Sequence, residues 1–320
     1  MADRKGRKML YEKRQTEKWK ERLFVLITSL LLPCILTLLI SGTNETAGNQ
    51  VSGIMIELEN GNKVDMEEFL LYMLAGQIRL DAHTEALKAQ CVIARTNLLR
   101  ELAGEKEKKA KELNVAYLSP EKLENSLGGL KKEEILKKLK RVINHTYPYV
   151  LTYEEEYIEA LYHHVSTGTT VSAEEIYGQG RPYLIAVDSS QDVEAEEYMT
   201  LSFWTGRELL AKLQGIGIGK EYTTDTIFSA LKIAEKTKNG YVKKVAVGTE
   251  EITGEEWKSL FGLNSTHFFL EEQDGMLRMI VLGKGHGIGL SQYGAERMAE
   301  EGAGWKEILL KYYPGVRIEK

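Results

Sequence analysis

The chain has 320 residues, 43% apolar and 28% charged, with 29 Gly, 5 Pro and 2 Cys, which excludes collagen-like, low-complexity and largely disordered classes. Its net charge of −5 is split between +5 on residues 1–22 and −10 on residues 41–320. So acidic a main region makes nucleic acid an unsuitable partner, because neutralising phosphates needs a basic face.

The basic tail 1–22 runs into Leu23–Ile40, 18 residues without a charge. As a helix this run is roughly 27 Å long, the short end of what crosses a bilayer core. Basic residues before it and a polar stretch after it place the N-terminus inside and the bulk outside. A cleaved signal peptide would have a shorter apolar region and a small-residue site after it. A lipoprotein would need small residues before Cys34, where Leu32-Pro33 stand. A buried soluble helix suits an isolated apolar run behind a basic tail badly. The expectation is therefore an uncleaved transmembrane signal anchor at 23–40: a single-pass protein of the cell membrane, N-terminus cytoplasmic and main domain extracytoplasmic. Cys34 and Cys91 are then kept apart, so no disulfide joins them and no Cys-based metal site forms.

Residues 41–50 read as a polar linker. Val51–Leu58 alternates as a strand, and Asn60-Gly61 is a hairpin turn before Lys63-Val64. Asp65 or Met66 opens a helix that breaks around Arg79–His83. Thr84 is the expected N-cap of a second helix, Glu85–Glu101, with Leu87, Cys91, Ala94 and Leu98 on one stripe. Residues 102–141, rich in Lys and Glu with breaks at Ser119-Pro120 and Gly128-Gly129, suggest an inserted pair of solvated helices or a partner-binding arm. Tyr149–Tyr153, Tyr157–His164, Tyr183–Val187, Val242–Val247 and Arg278–Leu282 have strand-like composition, and Gly206–Leu213 reads as a polar helix. A turn-rich stretch is expected between the last two strands. The chain closes with GKGHGIGLSQYGA, a helix, and Trp305–Tyr313 stopped by Pro314-Gly315. The class is α+β: mixed helices and short β-sheets around one groove, without regular βαβ alternation.

Two clusters could carry chemistry. Glycine at every second position from Gly283 to Gly289 would strip one face of an extended segment, letting a ligand or another backbone approach His286. The spacing fits neither a phosphate-cradling Gly-Lys-Ser/Thr loop nor a dinucleotide fingerprint, so no cofactor is expected. The plainer reading is a tight strand-to-helix turn with one hydrogen-bonded His. Tyr162–Thr170 holds His163-His164 and Ser166; adjacent His on a strand face opposite ways and rarely chelate together, so no metal is expected. One His would face a groove with Ser166 and the other solvent. Carboxylates for glycosidic acid chemistry are plentiful, and spacing does not choose among them.

Three stretches together resemble the stage II sporulation protein D/LytB family: Glu85-Ala86-Leu87-Lys88-Ala89-Gln90 with its continuation to Thr96, Tyr162–Thr170, and Gly285–Ala295 (GHGIGLSQYGA). The Tyr-Tyr-Pro-Gly ending at 312–315 also fits, and the resemblance spans about residues 51–318. It implies peptidoglycan glycan strands as substrate, and for the catalytic members a lytic transglycosylase reaction. There one Glu protonates the glycosidic oxygen and the sugar's own 6-hydroxyl attacks, leaving a 1,6-anhydro end. The family's acid stands eight residues before the Glu of EALKAQ, which in this sequence is Gln77. A Gln side chain has no proton to donate near neutral pH. The resemblance thus leaves three readings: a strand-binding protein that does not cut, a transglycosylase using another carboxylate such as Asp81, or a scaffold for an amidase or engulfment proteins. By position, Lys88 and Arg95 would lie beneath the active-site loop or hold a carboxylate. His163, Ser166, Gly168, His286, Ser291, Gln292 and Tyr293 would line the sugar groove.

Overall fold

The computed structural model describes residues 50–126 and 130–320. The basic tail, the apolar run 23–40, most of the linker and Gly128-Gly129 lie outside the described residues. Among those described, no helix is long and apolar enough to cross a membrane.

The chain begins as expected. Strands β1 (Met55–Glu57) and β2 (Lys63–Asp65) pair antiparallel around the Asn60-Gly61 turn, with Ile56 opposite Val64. Helix α1 (Met66–Gln77) starts where the Asp65 carboxylate accepts from the Glu67 amide at 2.9 Å. Helix α2 (Thr84–Leu102) is capped not by Thr84 but one residue earlier: His83 Nδ1 accepts from the Glu85 amide at 3.3 Å.

Residues 102–141 hold the expected pair of helices, but the pair is packed rather than solvated. Strand β3 (Glu107–Lys109) runs parallel to β1, and α3 (Pro120–Ser126) and α4 (Leu130–Thr146) follow. Leu139, Val142 and Ile143 of α4 are buried against α1 and α2. An apolar stripe on an otherwise charged helix is enough for docking.

Strands β4 (Val150–Tyr153), β5 (Glu156–Tyr157) and β6 (Tyr162–His163) come next, then α5 (Ala173–Tyr177). Tyr183–Val187 is turn and loop rather than strand; Tyr183 and Leu184 are nonetheless buried. After β7 (Met199–Thr205) and α6 (Gly206–Gly215) come α7 (Ile227–Ala230), β8 (Leu231–Lys236) and the expected strand β9 (Val242–Val247); the stretch from there to β12 (Met276–Leu282), expected to be turn-rich, is largely regular, with β10 (Glu250–Thr253), α8 (Gly254–Phe261) and β11 (Phe268–Gln273). Strand β13 (Leu290–Ser291), α9 (Gln292–Glu300), α10 (Trp305–Tyr312) and β14 (Arg317–Glu319) complete the chain.

The sheets are small: β2-β1-β3, β14-β4-β5, β10-β9-β8, β11-β12-β7 and the parallel pair β6/β13. The class is α+β, as expected. Helix α2 is the pivot. One side carries Leu87, Cys91 and Leu98 into a core with α1 and α4; the other carries Ala89, Val92 and Ile93 into a core with Leu151, Ile288, Tyr312 and Tyr313. Fully burying a leucine contributes about 1.5–3 kcal/mol, so this helix is fixed from both sides. A third core around Trp257, Phe268 and Met279 belongs to residues 199–282.

Candidate functional site

Gln77 ends α1, and three amides meet there head to tail. Gln292 Nε2 donates to Gln90 Oε1 at 3.2 Å, Gln90 Nε2 to Gln77 Oε1 at 3.0 Å, and Gln77 Nε2 to the Ala116 carbonyl at 2.9 Å. Because Ala116 O can only accept, the orientation of the whole chain of amides is set. Gln292 Nε2 also donates to the Gln77 carbonyl at 2.7 Å, tying the C-terminal motif to the end of α1. Gly76 makes room for this. A Cβ there would stand 2.8 Å from the Tyr117 backbone, so only glycine lets the 113–118 loop lie on the helix beside Gln77.

Gln77 opens onto a groove of about 330 Å³. Its walls are Asn97, Arg100 and Glu101 from α2, the 114–116 loop, the segment 159–162 leading into β6, and His286. Asn97 fixes that segment, donating to and accepting from the Ala160 backbone at 2.9 Å each way. Burial pushes the Tyr162 phenol up to about 12, so it stays protonated.

Behind the groove stand two imidazoles, their rings 5.9 Å apart. His163 is buried with Nδ1 3.1 Å from the Ile288 carbonyl, and among the described residues its Nε2 has no hydrogen-bond partner. Burial, with His286 close by, pulls its pKa down to about 3; burial and the charge of Lys258 pull His286 down to about 4. Both are neutral in the folded protein at pH 7. Unfolded, each returns to the ordinary value near 6.5, so the stabilisation is complete above that pH and is lost as pH falls toward 3 to 4. For His163 the loss between pH 7 and pH 4.5 is expected to be about 2–3 kcal/mol. Chemical denaturation at the two pH values checks it: His163→Asn should lose less stability than the unaltered chain by about that amount, and an equal loss would contradict it.

The remaining expected residues fall elsewhere, for identifiable reasons. His164 does not point to bulk solvent: its Nδ1 lies 3.3 Å from Gln292 Oε1 and its Nε2 3.3 Å from Glu197 Oε2. Ser166 is buried away from the groove, its amide donating to Asp192 at 2.6 Å and its hydroxyl accepting from the Gly168 amide. Gly168 takes φ +95 in that turn. Ser291 is buried as the N-cap of α9, accepting from the Gly294 amide at 3.2 Å. Tyr293 is half-buried and its amide donates to the His164 carbonyl, outside the groove walls. So Ser166, Gly168, Ser291 and Tyr293 build the scaffold and do not line the groove.

Lys88 and Arg95 each hold a carboxylate, and neither reaches the groove. Lys88 donates to Glu85 at 2.7 Å, and Glu85 in turn accepts from the Trp305 amide at 3.0 Å. Arg95 is 1% exposed and forms a double hydrogen bond with Glu67, 2.8 Å on each side. Asp81 is a surface carboxylate, 71% exposed at the side chain, paired with Arg79 at 2.9 Å and absent from the groove walls. Hydrogen bonding to Arg79 holds it below the usual carboxylate range, the wrong direction for a proton donor.

The glycine strip is not extended. Gly283, Gly285, Gly287 and Gly289 have φ of +72, +109, +78 and +72. What packs against it is this protein: a Cβ at Gly287 would stand 2.1 Å from the Tyr241 hydroxyl, and one at Gly289 2.0 Å from the Leu161 carbonyl. The close approach expected of a ligand is made by the chain itself, which brings 283–291 alongside 162–171 through β6/β13 and the bridges Val165–Lys284 and Val171–Ile288.

Sequence reasoning missed the groove residues Asn97, Arg100, Glu101, Glu159 and Tyr162. A signal was present: Gln90, Asn97 and Glu101, spaced seven and four apart, form a polar stripe on the helix whose apolar stripe was read.

Residues 56–153, from β1 to the end of β4, match the family model described as Stage II sporulation protein, SpoIID. The chain is 28% identical over 265 residues to Stage II sporulation protein D of Bacillus amyloliquefaciens and 29% identical over the same length to that of Bacillus subtilis. Each alignment covers 80% of this chain and 75% of the relative. A protein named amidase enhancer, from Bacillus subtilis, is 25% identical over 225 residues, 56% of this chain and 32% of that protein. Residues 56–153 thus carry a SpoIID domain, and four-fifths of the chain is similar to Stage II sporulation protein D.

Proposed function

We propose that this is a sporulation-type cell-wall protein whose groove binds peptidoglycan glycan strands and leaves them uncut. The observation that carries the second half is Gln77. Its amide stands at the groove end of α1, where the resemblance puts the family's acid, and it is bound on both sides by Gln90 and Ala116. It can hydrogen-bond a sugar but cannot protonate a glycosidic oxygen. The names of the relatives, sporulation protein and amidase enhancer, support a place in wall remodelling with an amidase or an engulfment protein as partner. On this reading residues 23–40 anchor the chain in the membrane and 51–318 face the wall.

A second reading, active transglycosylase, is favoured by one observation: the carboxylates Glu101 and Glu159 line the same groove. Asp81, exposed and paired with Arg79, is not among those walls.

The binding half is tested by titrating the full chain, in mild detergent, with peptide-free glycan strands. Tyr162→Ala is expected to weaken binding about ten-fold, the scale of losing one buried aromatic contact. Asp81→Asn should change it little. Equal binding by Tyr162→Ala and the unaltered chain would rule the groove out.

A further inference from the structure

The row of amides behind the groove has two ends. At one, the Ala116 carbonyl accepts from Gln77 Nε2 at 2.9 Å. At the other stands His164, whose Nδ1 lies 3.3 Å from Gln292 Oε1. Gln292 Nε2 is committed as a donor twice, to Gln90 Oε1 at 3.2 Å and to the Gln77 carbonyl at 2.7 Å. Its Oε1 therefore faces the imidazole, and His164 Nδ1 has to donate.

The other ring nitrogen also meets an acceptor. His164 Nε2 lies 3.3 Å from Glu197 Oε2, and Lys284 Nζ donates to Glu197 Oε1 at 3.2 Å. Burial raises the Glu197 carboxyl, but the Lys284 hydrogen bond and the charges of His164 and Lys284 outweigh it and hold the group below the usual range. A bare lone pair on Nε2 would be repelled by that carboxylate, so the geometry calls for a proton on both nitrogens. Arg79, just beyond α1, interacts with the same carboxylate, and neutral His163 is the neighbour on β6. Lys284 and Arg79 oppose a charge on His164; Glu197 and the donation to Gln292 favour it.

We propose that His164 is a positioning residue for the groove: as an imidazolium it locks Gln292, and through it Gln77 and Gln90, at the end of α1. Its side chain is 25% exposed, enough to exchange protons with water. Losing one proton to solvent leaves a single proton between two acceptors. It stays at Nε2, opposite the charged carboxylate, where the hydrogen bond is stronger. Nδ1 then accepts, and Gln292 turns its amide to donate to it. That turn withdraws both donations to Gln90 and Gln77, and the row cannot reverse as a whole because the Ala116 carbonyl only accepts. This rests on the glycan-binding reading above and adds what sets the binding form of the groove: His164 protonated binds, His164 neutral loosens Gln77.

The test titrates the full chain, in mild detergent, with peptide-free glycan strands at about pH 6 and about pH 8.5, either side of the range where imidazoles titrate. His163 and His286 are neutral throughout that range. The unaltered chain is expected to bind about five-fold more weakly at the higher pH, the scale of one hydrogen bond. His164→Gln, whose amide donates to Gln292 at any pH, should bind equally at both; His164→Leu should bind weakly at both. A purely structural role would not give that pattern. Isotope labelling of the histidine ring nitrogens reads the proton directly: His164, identified by its signal's loss in His164→Gln, should carry two protons at the lower pH and one at the higher. Equal binding by the unaltered chain at the two pH values, a five-fold loss that persists in His164→Gln, or a bare His164 nitrogen at the lower pH overturns the proposal. Failure of the unaltered chain to bind strands at either pH overturns the glycan reading, and the ring nitrogens still decide the protonation of His164. An unchanged melting temperature shows that each variant is folded.

Discussion

Gln77→Glu is expected to turn the full chain into a strand-cutting protein, raising cleavage by about 10² to 10⁴, the usual worth of a positioned general acid. The geometry says why the substitution alone should suffice. One oxygen of the new carboxyl would accept from Gln90 Nε2, as Gln77 Oε1 now does at 3.0 Å. The other would stand where Nε2 now donates to the Ala116 carbonyl at 2.9 Å. Two oxygens that close need a proton between them, so the site favours the protonated acid and raises its pKa. A carboxyl kept neutral beside a sugar groove is what protonating a leaving oxygen requires. The check is the rate at which 1,6-anhydro-muramyl ends accumulate from peptide-free strands, read by mass spectrometry. A variant that binds strands yet cuts no faster than the unaltered chain would show that more than the acid is missing.

Glu67→Ala is expected to cost about 3–5 kcal/mol of stability, the penalty of leaving one member of a buried ion pair alone. Arg95 is enclosed where α1, α2 and α4 meet. Besides Glu67 it donates to the carbonyls of Ile143 and Thr146 at the end of α4 and of Tyr149 just beyond, at 2.9 to 3.3 Å. A cation at a helix C-terminus is favoured by the dipole, so Arg95 joins three elements at one point. With Glu67 truncated, the guanidinium keeps its charge and loses its counter-charge in a site that excludes water. Chemical denaturation at pH 7 measures the effect. A loss under 1 kcal/mol would mean that water reaches the site or that the carbonyls alone neutralise it. The resemblance had placed Arg95 near the chemistry; its contribution is to hold the helix whose polar stripe walls the groove.

The elements most legible in the sequence were those written locally. The Asn60-Gly61 turn, the Asp65 cap and the Leu87–Leu98 stripe specify β1, β2, α1 and α2 within a few residues of themselves. What was not legible depended on distant partners. Strand β3 is three charged residues, Glu107–Lys109, and exists because β1, about fifty residues earlier, offers it an edge. Strand β7 alternates apolar and polar residues from Met199 to Phe203, a strand period that sequence reasoning passed over; what the sequence did not show is the facing, since Met199, Leu201 and Phe203 point outward while Thr200, Ser202 and Trp204 are half-buried. Alternate glycines suggested an extended strip, whereas positive φ at each of them folds the strip against β6. The candidate site was half legible. Gln77, His286 and Gln292 were found from motif positions, but the wall from 114 to 116 lies inside the charged segment that composition alone marks as solvated.

The measurement that bears most directly on a groove that binds and does not cut is made on the unaltered full chain. Peptide-free strands are incubated with it at saturating protein, bound strand is quantified, and the same strands are examined by mass spectrometry for anhydro-muramyl ends. The account expects strands bound and intact. Anhydro ends above the protein-free control would contradict it, and would place the proton donor at another groove carboxylate, Glu101 or Glu159.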